Sequence, residues 1–206
     1  MRPTTVIVDY GTGNLNSIRR TLDRVGATAV ASCDAVEISH AEKIILPGVG
    51  HFGNAMLRLV ELGLLDALND VVLSKGRPVL GICLGMELMA KSSEEGNAIG
   101  LGWIDARAVK IKVPDDSRYK VPHMGWNQVL GKKASALTAG IDESSEFYFA
   151  HSYYLELNEA SDLLTETTYA GEFPSAIEKD NIFGVQFHPE KSHDAGARLL
   201  KNFVDM

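Results

Sequence analysis

Cysteine is scarce in this chain: its 206 residues contain two, Cys33 and Cys83, too few for a framework of bridges. A disulfide-stapled secreted scaffold is thereby excluded, and a reducing compartment fits. A positively charged segment followed by an apolar one is missing at the N-terminus. No apolar run approaches the roughly 20 residues needed to span a bilayer. The expected location is therefore the cytoplasm, with no membrane partner. Positive charge is also in deficit, with 20 Lys+Arg against 27 Asp+Glu and a net charge of −7, which argues against nucleic acid as a partner. His40, His51, His123, His151, His188 and His193 are scattered and no Cys/His pair has zinc-ligand spacing, so no metal is expected, and no cofactor either. A phosphate loop is lacking as well: Gly11-Thr12-Gly13-Asn14 follows an apolar run but has neither the lysine nor the longer glycine pattern. Repeats, low-complexity tracts and linkers are absent. What remains is an ordinary globular composition, 45% apolar and 23% charged, long enough for one full core. A single domain over residues 1–206 is expected.

Hydrophobic periodicity divides the chain. Thr4 to Asp9 reads as a buried strand, and Leu15, Ile18, Leu22 and Val25 then recur at helical spacing until Gly26 supplies a stop. Ala27 to Ala31 and Lys43 to Leu46 read as short strands. Pro47-Gly48-Val49-Gly50 is a rigid turn ahead of helical patterns at Asn54 to Glu61 and Leu64 to Lys75, and Pro78 to Cys83 is the next strand. Short apolar runs alternating with helices predict an α/β fold, a mostly parallel central sheet flanked by helices. Beyond Gly100 the pattern changes. Leu101 to Val113, Val121 to Leu130, Glu146 to Leu157 and Leu163 to Tyr169 read as strands separated by turns, which predicts an additional mixed or antiparallel sheet. Asn181 to Phe187 reads as one more strand, Asp194 to Val204 as a closing helix, and Asp115-Asp116-Ser117-Arg118 as an exposed loop.

The chemistry concentrates at two strand ends. Cys83 lies in Val79-Leu80-Gly81-Ile82-Cys83-Leu84-Gly85-Met86-Glu87, an apolar run that turns at a Gly-x-Cys-x-Gly elbow. A nucleophile on a sharp strand-to-helix turn needs small neighbours so that its sulfur stands clear. A helix starting at Leu84 would aim its amide end at the sulfur, lowering the thiol pKa and offering a donor to an oxyanion. The second strand end supplies Phe187-His188-Pro189-Glu190. His188 would take the thiol proton and Glu190 would hold the imidazole in the right tautomer. In a parallel sheet both strand ends open on one edge, where such folds place their sites.

The Pro-Gly-Val-Gly turn, the Gly-Ile-Cys-Leu-Gly-Met elbow and Gln-Phe-His-Pro-Glu, in that order, resemble the class I glutamine amidotransferases, and the resemblance covers the whole chain. Pro122-His123-Met124-Gly125-Trp126-Asn127, Gly11-x-Gly13-Asn14 and Pro47-Gly48-Val49-Gly50-His51-Phe52-Gly53 look more narrowly like the glutaminase subunit of imidazole glycerol phosphate synthase. The resemblance implies a flavodoxin-like fold and a Cys83-His188-Glu190 triad that hydrolyses L-glutamine through a γ-glutamyl thioester. It implies an oxyanion hole built from the backbone N–H of Leu84 and that of Val49 or Gly50, on a turn whose Gly48 and Gly50 reorient at little steric cost; as a bare sequence the turn also reads as an ordinary loop. It implies that Glu95 holds the ammonium end of glutamine and that His151-Ser152-Tyr153 line the same site; Glu94-Glu95 reads equally well as a solvated charge run.

The resemblance also implies a partner. Ammonia in bulk water at neutral pH is mostly ammonium and no nucleophile, so a protected path into a second protein is needed. That protein is implied to be a (β/α)₈ barrel cyclase of histidine biosynthesis, contacted by Asn14, Met124, Trp126, Tyr148 and Lys191. Trp126 reads alternatively as a core aromatic. The sequence departs from the family at position 87, where glutamine is usual and this chain has Glu87. Four residues after the nucleophile on a helix, a carboxylate there would raise the thiol pKa and repel the substrate's α-carboxylate unless protonated or paired. Rival readings are a glutaminase for another synthase, such as one that builds pyridoxal phosphate, a catalytically silent regulatory partner, and a cysteine hydrolase acting without a partner.

Overall fold

The computed structural model describes residues 5–206; Thr4, read as the start of the first strand, lies outside them. The main sheet begins with β1 (Thr5–Val8), β2 (Ala29–Ser32), β3 (Lys43–Gly48) and β4 (Val79–Cys83), all parallel, and continues through β14 (Ile182–Val185), which is parallel to β4. Antiparallel strands β13 (Glu172–Lys179), β12 (Leu163–Thr168) and β9 (Leu130–Gly131) complete the order β2-β1-β3-β4-β14-β13-β12-β9. The central strands are apolar without alternation because both faces are covered. Val6, Val8, Ile44 and Leu46 feed one core, and Ile7, Ile45, Leu80 and Ile82 the opposite one.

Helices seal those two faces. On one side α1 (Leu15–Arg24) turns Ile18 and Leu22 inward, with α6 (His193–Asp205) contributing Leu199, Leu200 and Phe203. On the other lie α2 (Ala35–Ser39), α3 (Phe52–Glu61) and α4 (Leu65–Asn69), which continues into a π-helical turn at Asp70–Ser74, with Ile38, Leu59 and Leu68 in the core. The Asn14 side chain caps α1 by accepting from Ser17 N–H, and Gly26, at φ 76°, follows its end.

Two smaller sheets carry the second half. Strand β8 (His123–Gln128) pairs antiparallel with β10 (Glu146–His151) as a two-stranded ribbon. The third sheet has the order β11-β7-β5-β6, from β11 (Tyr153–Leu157), β7 (Ala106–Lys110), β5 (Ser92–Ser93) and β6 (Ala98–Ile99).

Several expected boundaries move. Glu146 to Leu157 is not one strand: it breaks at Ser152, and its halves pair in different sheets because the ribbon and the third sheet each need one edge of it. Leu101 to Val113 contracts to β7, the residues before it forming turns. The strand β13 and the short helix α2 went unread. Pro174 and the terminal charges of β13 hide its period, and a register shift near Thr165 and Glu166 accommodates the pairing. Only five residues of α2 are helical, too short a stretch to show a period.

Candidate active site

Parallel pairing sets Val185 beside Ile82, and Gly48 beside Cys83. The C-terminal ends of β3, β4 and β14 therefore converge, bringing the Pro-Gly-Val-Gly turn, the elbow and the Gln-Phe-His-Pro-Glu segment to one sheet edge. Cys83 sits at φ 53° and ψ −113°, a strained conformation for a residue with a Cβ that costs about 1–3 kcal/mol. Close packing holds it there. A Cβ on Gly85 would meet the Leu46 carbonyl oxygen at 1.8 Å, and one on Gly81 would meet Met86 N at 2.7 Å. A Cβ on Gly48 would lie 2.6 Å from the Tyr10 hydroxyl, which donates to the Pro47 carbonyl at 2.6 Å and so braces the turn. Gly48 thus serves packing, whereas Val49 and Gly50 line the cleft.

His188 and Glu190 are both buried, and Glu190 Oε1 lies 2.9 Å from His188 Nδ1. The carboxylate fixes the proton on Nδ1 and leaves Nε2 free for a second partner. Ser192, unread in the sequence, anchors this segment: its hydroxyl donates to the His188 carbonyl at 2.6 Å and accepts from Tyr148 N–H at 3.0 Å. The Cys83 sulfur has its hydrogen bond to the Ala150 carbonyl at 3.9 Å. Its thiol is pushed up, first by burial and then by Glu87, while the Leu84 N–H pulls it down by a smaller amount. The lowering expected from that amide is therefore present but outweighed. The helix α5 (Leu84–Glu87) that follows is a single turn, and its amide end does not offset desolvation.

The cleft over Cys83 has a volume of about 230 Å³ and is lined by Val49, Gly50, Leu84, Glu87, Glu95, Pro122 and residues 150–153. It lies below the about 300–1,000 Å³ of drug-sized ligand sites, a size suited to one amino acid. Glu95 is no solvated surface charge: its Oε2 accepts from Phe52 N–H at the start of α3, 2.6 Å away. His151, Ser152 and Tyr153 form the wall where the chain passes from β10 to β11. Beneath it, His151 Nδ1 lies 2.7 Å from the Tyr153 carbonyl and His151 Nε2 lies 3.0 Å from His123 Nδ1. A carbonyl can only accept, so His151 carries its proton on Nδ1 and His123 donates to Nε2. Burial pushes His123 down to about 4 and His151 to about 3, so both are neutral at pH 7. Glu87, 5% exposed, accepts from Gln186 Nε2 at 2.9 Å, and burial pushes it up to about 8.

On the outer face beside this cleft, Met124 and Trp126 project to solvent at 63% and 43% exposure, which excludes a core role for Trp126. Trp126 stacks on His193 at 4.8 Å and meets Tyr148 edge-on at 6.0 Å, and Lys191 Nζ lies 5.4 Å above the Tyr148 ring. Asn14 is exposed and is accounted for by its cap on α1.

Residues 6–206 match the family described as glutamine amidotransferase class-I. The chain belongs to that family. Among curated class-I relatives, it is 49% identical over 198 residues to "Imidazole glycerol phosphate synthase subunit HisH 2" of Methanococcus maripaludis, covering 96% of this chain and 97% of that one. It is 48% identical over 201 residues to the protein of the same name in Pseudomonas aeruginosa, covering 98% of each. A crystal structure titled as a glutamine amidotransferase shares the fold at TM-score 0.74 and 18% identity, over 98% of this chain and 99% of that one. The class-I fold expected from the motifs is the one observed, with two smaller sheets beside the mixed main sheet. Among the described residues no helix is long and apolar enough to cross a membrane, and no group of three or more His, Cys, Asp or Glu could hold a metal ion.

Proposed function

We propose that this chain is the glutaminase subunit of imidazole glycerol phosphate synthase, releasing ammonia from L-glutamine for a (β/α)₈ barrel cyclase subunit in histidine biosynthesis. The observation that carries the reading is the strained Cys83 elbow and the buried His188–Glu190 pair following neighbouring strands of one sheet, in a chain whose relatives of that name align over nearly its full length.

Glutamine enters with its ammonium toward Glu95, whose carboxylate Phe52 N–H holds in place. His188 takes the proton of Cys83, and the sulfur attacks the side-chain amide carbon. The tetrahedral oxyanion is met by Leu84 N–H together with that of Val49 or Gly50, donors that are worth about 3–4 kcal/mol each. Collapse breaks the C–N bond, His188 returns the proton to the leaving nitrogen, and ammonia departs from a γ-glutamyl thioester. Water, deprotonated by His188, then attacks the thioester; glutamate leaves and Cys83 regains its proton. Glu190 keeps the imidazole in one tautomer throughout. The thioester route requires no cofactor.

Because burial holds the thiol protonated at rest, the isolated subunit turns over slowly. Met124, Trp126, Tyr148 and Lys191 form the docking face for the cyclase, where aromatic anchors suit an interface centre. Strand β10 runs from that face to the cleft wall, so docking can act on the cleft. The cytoplasm is the setting, since an exposed Cys33 and a nucleophilic Cys83 both need reducing conditions.

The test is glutamate release by the purified chain, alone and then with the cyclase subunit and its ribotide substrate. A large rise only in the complete mixture is expected. Equal activity in both would overturn the gating by the partner, and silence in both would overturn the glutaminase reading.

A further inference from the structure

Glu87 is a carboxyl group buried beside a nucleophile with no cation to balance it. Its neighbours from each packed element are Cys83 at the end of β4, Tyr10 after β1, Gln186 after β14, Tyr153 on β11 and Glu95 across the cleft. All of these are neutral or acidic, and no ion pair reaches Glu87 among the described residues. A bare carboxylate so placed carries an uncompensated desolvation penalty. Gln186 supplies a second, independent sign. It is fully buried, its Nε2 donates to Glu87 Oε1 at 2.9 Å, and its own Oε1 has no hydrogen-bond partner among the described residues. A buried amide oxygen without a donor is costly. A proton on Glu87 answers both faults: the carboxyl loses its charge, and its O–H becomes the donor available to Gln186 Oε1, closing the two-bond ring of an acid–amide pair.

We propose that Glu87 is a positioning residue that works as a neutral acid ringed to Gln186, and that loss of its proton opposes thiolate formation at Cys83, giving the site an alkaline brake. The consequence for turnover rests on the glutaminase reading; the proton on Glu87 and its effect on the thiol do not. Burial places the transition near pH 8, with Glu95 adding to it and the Gln186 hydrogen bond opposing. The sign follows directly. Below that pH Glu87 is neutral and leaves the thiol alone. Above it, a negative charge faces the sulfur and disfavours a second one. The neutral acid is also the form compatible with the α-carboxylate of a bound amino acid in the same cleft.

Iodoacetamide alkylation of Cys83 in the full chain, resolved by peptide mass spectrometry so that the exposed Cys33 is counted separately, tests the brake. Rate constants are compared between the native chain and Glu87→Gln from pH 6.5 to 9.5. The ratio of variant to native rate is expected to rise about tenfold across that range, since only the native site acquires a charge; a constant ratio overturns the proposal. Infrared difference spectra of the native chain at pH 6.5 and 9.5, referenced to the variant, give a readout independent of reactivity. They should show the carbonyl stretch of a protonated acid disappearing as pH rises. Carboxylate bands for Glu87 already present at pH 6.5 overturn it, and if the variant does not fold, the native pH difference alone decides. Glutamate release in the complete complex separates the two readings: none at any pH sinks the glutaminase, whereas release with a parallel pH profile in both chains sinks the brake.

Discussion

At the elbow between β4 and α5 a single methyl group has no room, whereas along the ribbon of β8 and β10 side chains alternate freely between core and solvent. Gly81 and Gly85 sit against backbone atoms from their first carbon outward. Phe147 and Phe149 of β10 are fully buried while Met124 and Trp126 of β8 stand out. The elbow has one permitted arrangement, and its rigidity keeps Cys83 at φ 53°. The ribbon is a half-buried surface whose outer face can change its contacts without disturbing the core. Backbone crowding thus holds Cys83 strained at one side of the cleft, while the wall at the other belongs to a two-stranded sheet with no further strand on either edge among the described residues.

The largest effect expected is at the elbow. Cys83→Ala should cut glutamate release by the complete complex at least about a thousandfold while leaving cyclase binding by calorimetry within twofold. Residual turnover near the native rate would remove Cys83 from the chemistry. Gly85→Ala sharpens the comparison in stability: its Cβ meets backbone that cannot retreat, so a loss of about 3 kcal/mol or more is expected, read as a fall in Tm of roughly 6–12 °C. Gly131→Ala, in exposed β9 with nothing near its Cβ, should stay within about 0.5 kcal/mol. Equal losses at the two glycines would refute crowding as the cause.

On the ribbon, Trp126→Ala should weaken cyclase binding by about 2 kcal/mol, near thirtyfold in Kd. Alkylation of Cys83 in the isolated chain should hardly change; a large change there would mean that the outer face reaches the elbow without the partner. The smallest effect concerns the histidines behind the cleft wall. His123 and His151 are held neutral, at about 4 and about 3, below the 6.5 of an unfolded chain. The unfolded state therefore binds protons first as pH falls from 6.5, and folding stability drops until the folded values are reached. His123→Gln removes one of the two rings, so its urea midpoint should fall less between pH 6.5 and 4.5 than that of the native chain. Identical falls would show that the pair does not titrate as a buried unit.

Much of this site was legible along the chain because its parts are local. Gly81 to Gly85 reads as a crowded turn from residue types alone, and His188-Pro189-Glu190 sets its pair across two residues. The sequence also warned of Glu87, since a spacing of four on a helical turn brings it back to Cys83. Gln186 lay in a motif in full view yet could not be assigned, because its partner is 99 positions away. Tyr10 and Ser192 escaped for the same reason: their hydroxyls act on Pro47 and Tyr148, which only sheet pairing brings near. The Leu84 N–H and Glu87 act on the thiol in the directions their positions in the sequence imply, but burial, the largest influence, is set only when the chain closes.

By itself the sequence determined the α/β class, the order of the parallel strands' apolar runs, and the residue types that meet at two strand ends, since periodicity and turn chemistry act over a few neighbours. The tertiary structure decided the rest. It split Glu146 to Leu157 between two sheets, placed Trp126 outside the core, joined His123 to His151, and raised Cys83 and Glu87 together. Burial and long-range pairing set those outcomes, because the free energy of a charge depends on everything that surrounds it once the chain has closed.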